Sequence, residues 1–170
     1  MLGTQIRPVR SDDEESVRRF LAGLSLHTQT LRFFTGVGCP AAALVRALLA
    51  TDEHRDVLVA VQEGEIVGHA MSYRGGVADV EIAIVVTDRC QGRGLGRRLI
   101  KRLLYRAAVR GATTVGMDVM GENRRVQGMI RRLWPDARMT ASSGSVEVTA
   151  IIQEAAVFAE QRSGGSPLTA

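Results

Sequence analysis

Cysteine, histidine and aromatic residues are scarce in this chain of 170 residues. The two cysteines, Cys39 and Cys90, form no CxxC pair, so we expect reduced thiols rather than a disulfide. The three histidines are scattered and show no ligand spacing, which predicts that there is no metal site. Aromatic residues make up 4% of the chain, too few to build stacking platforms for single-stranded nucleic acids.

Long apolar segments are missing as well. The longest apolar runs, such as Ile82–Val86, are far too short to cross a bilayer. No positively charged and apolar leader precedes Arg7, which argues against a secretion signal. We therefore expect a cytoplasmic protein that does not associate with membranes.

Lysine is nearly absent although the net charge is +4 and the sequence pI is about 9.8, since Lys101 is the only lysine among 22 basic residues. Such an arginine excess is typical of codon bias, and arginine keeps its charge to very high pH, which raises the pI. We therefore predict no nucleic-acid partner. The modest positive charge would still attract an anionic cofactor.

Hydrophobic periodicity and turn residues predict alternating strands and helices. Strands are expected over residues 5–10, 56–62, 65–74, 80–87, 113–119 and 145–152. Helices are expected over residues 11–24, around 31–34, and over 41–50, 94–110 and 123–134, with Ser11 capping the first, Pro40 opening the third and Gly111 ending the fourth. This order indicates an α/β (α+β) fold whose mixed sheet contains one strand–helix–strand crossover. We expect one domain over residues 1–155 and a partly disordered tail over 156–170.

The segment after the fourth predicted strand carries the strongest functional signal. The strand over residues 80–87 is almost continuously apolar, which predicts burial on both faces. The glycine-rich turn Gln91–Gly96 follows it and leads directly into a helix. Glycines let main-chain N–H groups approach a ligand closely, and a helix start adds a partial positive charge. This combination predicts a site for a phosphate-bearing ligand.

Two common phosphate-binding motifs do not fit this turn. A nucleoside-triphosphate loop requires Gly-Lys-Ser/Thr, but Gly96 is followed by Arg97 and Arg98. A dinucleotide fingerprint has the spacing G-x-G-x-x-G, whereas the glycines here are spaced G-x-G-x-G. Asp118 does lie near the position of the ribose-binding acid. A glycine-rich turn without a ligand remains the structural alternative.

The turn Gln91–Gly96 resembles the loop signature Q/R-x-x-G-x-G/A of the GCN5-related N-acetyltransferases, the GNAT superfamily. The resemblance extends from Ile6 to about Ile152 and is greatest for the bacterial protein-lysine acetyltransferase branch, whose patterns match Leu26–Phe34 and Val80–Ala83. It implies a mixed, mostly antiparallel central sheet of six to seven strands flanked by about four helices. It also implies acetyl-CoA or another acyl-CoA as co-substrate and an amine acceptor, either a protein lysine or a small molecule. The oligomer would be a monomer or a homodimer.

The same resemblance assigns individual residues to the cofactor. The backbone of Ile84, Val85 and Val86 would pair with the pantetheine arm like an added strand, and donors near Val86 would receive the acyl oxygen. Asn123 matches a family asparagine that lies near the cofactor arm. The diphosphate would be held by the loop residues Gln91, Gly92, Arg93, Gly94, Leu95, Gly96 and Arg97.

Glu81 is the candidate general base. It interrupts an apolar strand and stands where the related branch carries its base. An amine must lose a proton before it attacks a thioester, and burial would raise the pKa of a carboxylate toward a value suited to that task. Strand alternation puts Glu81, Ala83 and Val85 on one face. The alternative is a solvent-facing strand residue with no catalytic role.

One position departs from the family pattern. Many members carry a tyrosine that protonates the leaving thiolate, but counting from Asn123 that position is Ile130. The acid is therefore unidentified, and a non-catalytic acyl-CoA-binding sensor stays open as an alternative. Tyr73 and Tyr105 are predicted to be structural. Arg124–Arg125 is predicted to lie on a solvated helix face, from which an arginine could reach the 3′-phosphate of the cofactor.

Overall fold

The structure, a computed structural model that describes residues 3–34 and 41–155, is built on one seven-stranded sheet. The strands are β1 (Gln5–Pro8), β2 (Arg55–Gln62), β3 (Glu65–Tyr73), β4 (Val80–Val86), β5 (Thr114–Met120), β6 (Arg138–Ser142) and β7 (Ser145–Ile151). They lie in the order β1-β2-β3-β4-β5-β7-β6. Neighbouring strands in this sheet are antiparallel except β4 and β5, which are parallel.

Helices cover both faces of the sheet. They are α1 (Glu14–Ala22), α2 (Leu26–Phe33), α3 (Ala42–Leu49), α4 (Leu95–Val109) and α5 (Arg124–Leu133). Apolar residues of α1 and α3 pack on one face around Val59 and Val85. Apolar residues of α4 and α5 pack on the other face, around Leu58, Val115 and Ile82. Each face is therefore closed by its own apolar core.

Local sequence explains the connections around the centre of the sheet. Glu63 and Gly64 link β2 to β3, and both have positive φ, at 53° and 79°, as the tight turn of a two-residue hairpin requires. The parallel pair β4 and β5 needs a crossover, and α4 supplies it. Gly111, at φ 89°, follows the end of α4, as predicted. These features confirm the predicted fold class, its mostly antiparallel sheet and its single crossover.

One predicted helix start is wrong, and one predicted helix is longer than expected. Ser11 does not cap α1, because Ser11–Asp13 forms a separate short helical turn. The carboxylate of Asp13 accepts hydrogen bonds from the backbone N–H of Arg10 and the guanidinium of Arg7, each at 2.7 Å. The second helix, expected around residues 31–34, begins earlier, at Leu26, where Ser25 Oγ accepts a hydrogen bond from the backbone N–H of Thr28.

Two strand predictions also need correction. No predicted strand covers β6, whose residues are mostly exposed and polar because it forms the outer edge of the sheet. The predicted burial of β4 on both faces holds in part, since Val80 and Ile82 are buried on one face and Val85 on the other, whereas the remaining residues are half-buried. The proposed helix opener Pro40, Cys39 and the tail over 156–170 lie outside the described residues.

Candidate active site

The strands β4 and β5 separate soon after they begin to pair. Their parallel pairing is limited to Val80 with Val115 and Glu81 with Gly116. Beyond these positions β4 continues along β3 as far as Val86, whereas β5 continues along β7. The two strands therefore enclose a wedge-shaped gap, here named the fork, with its closed end at Glu81 and its open end at Val86.

Alternate residues of β4 present their backbone groups to the fork. Thr87 donates its backbone N–H to the carbonyl of Val67 on the preceding strand, at 2.9 Å. Backbone groups of an antiparallel strand point alternately toward and away from the partner. The N–H and C=O groups of Ile84 and Val86 therefore face the fork, and those of Val85 face β3. Of the three residues predicted to pair with the pantetheine arm, this alternation favours Ile84 and Val86.

The three glycines of the loop differ in whether the backbone conformation requires glycine. Gly92 and Gly94 have positive φ, at 75° and 78°, so their conformation itself favours glycine. Gly96 lies in the first turn of α4 and is not among the residues with positive φ. A Cβ at Gly96 would meet no atom within 4 Å. Neither conformation nor packing therefore requires glycine at position 96, and the missing side chain leaves the N–H groups of the helix start accessible.

The loop side chains point in different directions. Leu95 is buried in the core, so only its backbone can contact a diphosphate. Arg93 and Arg97 are exposed. Arg98 Nη2 donates to the carbonyl of Thr4 at 3.0 Å, which ties α4 to the start of β1. Among the predicted cofactor residues, the exposed arginines are the ones that can add positive charge.

A hydrogen-bond network joins the loop to α2. The carboxylate of Asp88 accepts hydrogen bonds from Ser25 Oγ at 2.7 Å and Thr28 Oγ1 at 2.8 Å. Burial alone would raise the pKa of Asp88, but these hydrogen bonds hold it below its usual value. Gln91 Nε2 donates to Thr28 Oγ1 at 3.2 Å and to the carbonyl of Val86 at 3.0 Å. The position of α2 is therefore fixed relative to the loop.

At the start of α5, Asn123 caps the helix and Arg125 contacts the loop. Asn123 Oδ1 accepts a hydrogen bond from the backbone N–H of Val126 at 3.2 Å, so this asparagine caps α5. Arg125 is exposed, as predicted for a solvated face, but its guanidinium lies on the loop. Its Nη1 is 3.4 Å from Gln91 Oε1, and its Nη2 is 2.6 Å from the place that a Cβ on Gly92 would occupy. The contact between Arg125 and the loop joins residues far apart in the chain and could not be predicted from the sequence.

Glu81 lies at the closed end of the fork. It shares a sheet face with Val85, which packs against α1 and α3, as the strand alternation predicts. The side chain is half-buried, and its carboxylate packs against the backbone of two glycines. A Cβ on either Gly76 or Gly116 would overlap the carboxylate. Two positions without side chains therefore make room for the carboxylate.

The surroundings of Glu81 favour its protonated form. Burial raises the pKa of Glu81, although the backbone N–H groups of Ala78 and Val77 oppose this effect. The carboxylates of Asp118 and Glu147 raise the pKa further. These two residues are directly paired across β5 and β7 and share the face of Glu81. A base with a raised pKa is better matched to a proton transfer near neutral pH.

The two tyrosines and Ile130 lie in different surroundings. Tyr73 is directly opposite Glu81 across β3 and β4 and is 42% exposed, a proximity that the sequence pattern does not show because it depends on strand register. Tyr105 is an exposed residue of α4. Ile130 is a fully buried core residue of α5, and its hydrocarbon side chain has no proton to donate.

Within residues 3–34 and 41–155, no group of three or more histidine, cysteine, aspartate or glutamate side chains could hold a metal ion. No helix in that part of the chain combines the length and the apolar character needed to cross a membrane.

The family model described as Acetyltransferase (GNAT) family matches residues 25–133. The chain belongs to this family. The match includes α2, the fork, the loop and α5, which together form the candidate site. The superfamily resemblance is thereby confirmed, while membership of the lysine-acetyltransferase branch stays a prediction.

Similar proteins agree with this assignment to the GNAT family. Uncharacterized N-acetyltransferases of Mycobacterium bovis and Mycobacterium tuberculosis are 37% identical over 78 residues, which cover 45% of this chain and 50% of each relative. The chain therefore matches about half the length of these relatives. The GNAT domain of S. lividans PAT has a TM-score of 0.80 and 22% identity, with 87% of this chain and 90% of that chain covered. A phosphinothricin acetyltransferase from Sinorhizobium meliloti in complex with AcCoA has a TM-score of 0.70 and 16% identity, with 92% of both chains covered. The two structures support the GNAT fold.

Proposed function

We propose that this GNAT protein transfers an acetyl group from acetyl-CoA to a primary amine. The observation that carries the proposal is the alignment of the loop, the fork and Glu81. The fork leads from the open helix start at Gly96 along the unpaired backbone of β4 to the carboxylate of Glu81. From Glu81 to Val86 the strand spans roughly 17 Å. A cofactor with a phosphate end and an extended thioester arm fits this arrangement.

The loop and the start of α4 hold the diphosphate in this proposal. Backbone N–H groups at the helix start attract an anion, and the exposed side chains of Arg93 and Arg97 add positive charge. Arg125 approaches the same loop from α5. Ile84 pairs with the arm through the backbone groups that face the fork, and Val86 pairs through its N–H, because its carbonyl accepts a hydrogen bond from Gln91. Asn123, which caps α5, is assigned to the arm on the family resemblance.

Glu81 removes the proton from the attacking amine. An alkyl amine with a pKa of ~10.4 is almost fully protonated at neutral pH and cannot attack a thioester in that form. A nearby carboxylate with a raised pKa can accept this proton. The acyl oxygen is assigned to a backbone N–H of β4 that lies nearer to Glu81 than Val86 does, because Val86 is roughly 17 Å along the strand from Glu81. The departing thiolate needs no protein acid, because solvent can protonate it.

The two predicted acceptor classes, a protein lysine and a small amine, both fit this chemistry because each presents a primary amine. The test is release of the CoA thiol when the protein is incubated with acetyl-CoA and a panel of amines. Glu81→Gln should lower kcat by about a hundredfold or more and leave the affinity for CoA intact. The wild-type protein should lose kcat/KM on acidification, with a midpoint above the usual glutamate pKa. Equal loss of turnover and CoA affinity in the variant would make Glu81 a structural residue.

A non-catalytic acyl-CoA sensor is the second candidate. It is favoured by Ile130, which replaces the family acid and is fully buried. The same experiment separates the two functions. A protein that CoA stabilises against unfolding, but that acetylates no amine in the panel, would be a sensor.

A further inference from the structure

Arg32 is a charged residue of α2 that the proposed chemistry does not use. Its Nη2 lies 3.5 Å from the sulfur of Met71, and its guanidinium stacks over the ring of Phe33 at 4.7 Å. Its Nε is fully buried and has no hydrogen-bond partner among the described residues. Burial lowers the pKa of Arg32 to about 10, while Tyr73 opposes this shift. The guanidinium therefore stays charged at neutral pH in a poorly solvated position.

Other sheltered arginines of the chain have carboxylate partners. Arg106 pairs with the buried Asp56 at 2.6 Å, and Arg7 pairs with Asp13 at 2.7 Å. Within residues 3–34 and 41–155, Arg32 forms no such ion pair. A sheltered charge without a counter-ion is unfavourable, and an anion that binds to it relieves this cost. Arg32 therefore has the properties of a ligand-binding residue.

Arg32 lies on the same side of the sheet as Glu81. Its contact Met71 and its electrostatic neighbour Tyr73 belong to the face of β3 that continues into Glu81. Tyr73 is paired with Glu81, and Met71 is two residues away along the strand, so the Cα atoms of Met71 and Glu81 are roughly 8 Å apart. The helix α2 itself lies against β4 and β5. A carboxylate and a guanidinium that do not pair with each other thus flank one short stretch of surface.

We propose that Arg32 binds an oxyanion of the acceptor, so that the acceptors are small amines carrying a carboxylate or phosphate several bonds from the amine. The inference rests on the proposed function, because Glu81 marks the position of the reacting amine. The acceptor then lies across Tyr73, with its amine at Glu81 and its oxyanion at Arg32. A guanidinium can bind either oxyanion with two parallel hydrogen bonds. A purely cationic polyamine would leave Arg32 without a counter-ion.

The first test compares the kcat/KM for each amino acid with that for its amide, which lacks the negative charge of the carboxylate. The acceptors are β-alanine, γ-aminobutyrate and δ-aminovalerate and the three corresponding amides, with phosphoethanolamine against ethanolamine to separate phosphate from carboxylate. The acid should exceed its amide in kcat/KM by about tenfold to a hundredfold, as expected for hydrogen bonds to a charged group. Arg32→Gln should bring this ratio close to one. The exposed arginine of α3 provides the matched control, and Arg46→Gln should keep the wild-type ratio.

Equal rates for acids and amides with the wild-type protein would overturn the proposal, whether or not Arg32→Gln folds. A lysine peptide with acetylated and amidated ends whose kcat/KM exceeds that of every amino acid would also overturn the proposal, in favour of a protein acceptor. Calorimetric titration of the CoA-bound protein with δ-aminovalerate and its amide keeps this result separate from failure of the proposed function. Tighter binding of the acid, lost in Arg32→Gln, would support the oxyanion site even if no amine were acetylated. Equal binding, or no binding of either compound, would count against it.

Discussion

In the proposed function, the two ends of the fork recognise their ligands by different means. At the open end, backbone N–H groups and the start of α4 would face the diphosphate, and glycines keep them accessible. At the closed end, the side chains of Glu81 and Arg32, which flank Tyr73, would contact the acceptor. Local chain geometry is sufficient for the first, whereas the second depends on strand register and on the docking of α2. Cofactor binding should therefore tolerate most side-chain substitutions in the loop, whereas turnover should be sensitive to substitutions at the closed end.

The largest effect is expected from the smallest side chain added at the closed end. In Gly116→Ala the new Cβ overlaps the carboxylate of Glu81 and must displace it. We expect kcat to fall by about a hundredfold, close to the loss of a general base, while the affinity for CoA is retained. Steady-state kinetics and calorimetry measure the two quantities. In the control Gly128→Ala, the nearest atom to the new Cβ is Arg132 Nη1 at 3.5 Å, an ordinary contact. This variant should keep both the kcat and the CoA affinity of the wild type. Normal turnover by Gly116→Ala would remove Glu81 from the mechanism.

The next effect concerns stability on the acceptor side of the sheet. His69 is fully buried, its Nε2 lies 2.8 Å from the carbonyl of Leu48, and its Nδ1 is without a partner among the described residues. Burial and the charge of Arg32 lower the pKa of His69 to about 4. The unfolded chain therefore binds more protons below pH ~6.5, and stability falls on acidification between the two pKa values.

Urea unfolding at pH values above and below this window tests the effect of His69. Between about pH 7.5 and pH 5 the wild-type protein should lose about 2 kcal/mol of unfolding free energy. His69→Gln should lose much less over the same interval, whatever its absolute stability. The exposed His54 supplies the control, and His54→Gln should behave like the wild type. A pH dependence unchanged in His69→Gln would assign the loss to other groups.

The smallest effect tests whether the open end relies on the backbone alone. Arg125 is the side chain that lies against Gly92 and Gln91. Its removal in Arg125→Ala should weaken acetyl-CoA binding by about tenfold, the scale of one hydrogen bond to a charged group. The adjacent exposed arginine should matter little, so Arg124→Ala should change the affinity by less than about twofold. If both variants bind acetyl-CoA with nearly the wild-type affinity, the backbone accounts for cofactor recognition at the open end.

The parts of the site that depend on local sequence were predictable. The loop Gln91–Gly96, the strand before it and the helix after it follow from glycine spacing and apolar periodicity. The face shared by Glu81 and Val85 follows from strand alternation. The start of α2 was not predicted, although Ser25 before Leu26 is a favoured N-cap residue and was visible in the sequence.

The rest depends on contacts between residues far apart in the chain. The fork exists because β5 turns from β4 to β7, and no local pattern encodes that separation. Tyr73 meets Glu81 through strand register. Arg32 reaches this face through the docking of α2, which packs against β4 and β5 and is hydrogen-bonded to Asp88. The edge strand β6 lacks an apolar face that a periodicity search could detect.

The most direct test of the central claim compares two glycines with nearly the same geometry. Gly94 in the loop and Gly64 in the β2–β3 hairpin have φ of 78° and 79°, and a Cβ on either would meet no atom within 4 Å. An aspartate therefore introduces similar backbone strain at both sites, but only in the loop does it oppose a diphosphate. Calorimetric titration with CoA should detect binding to the wild type and to Gly64→Asp and none to Gly94→Asp. Equal affinity in all three proteins, or no heat with the wild type, would contradict the assignment of the loop.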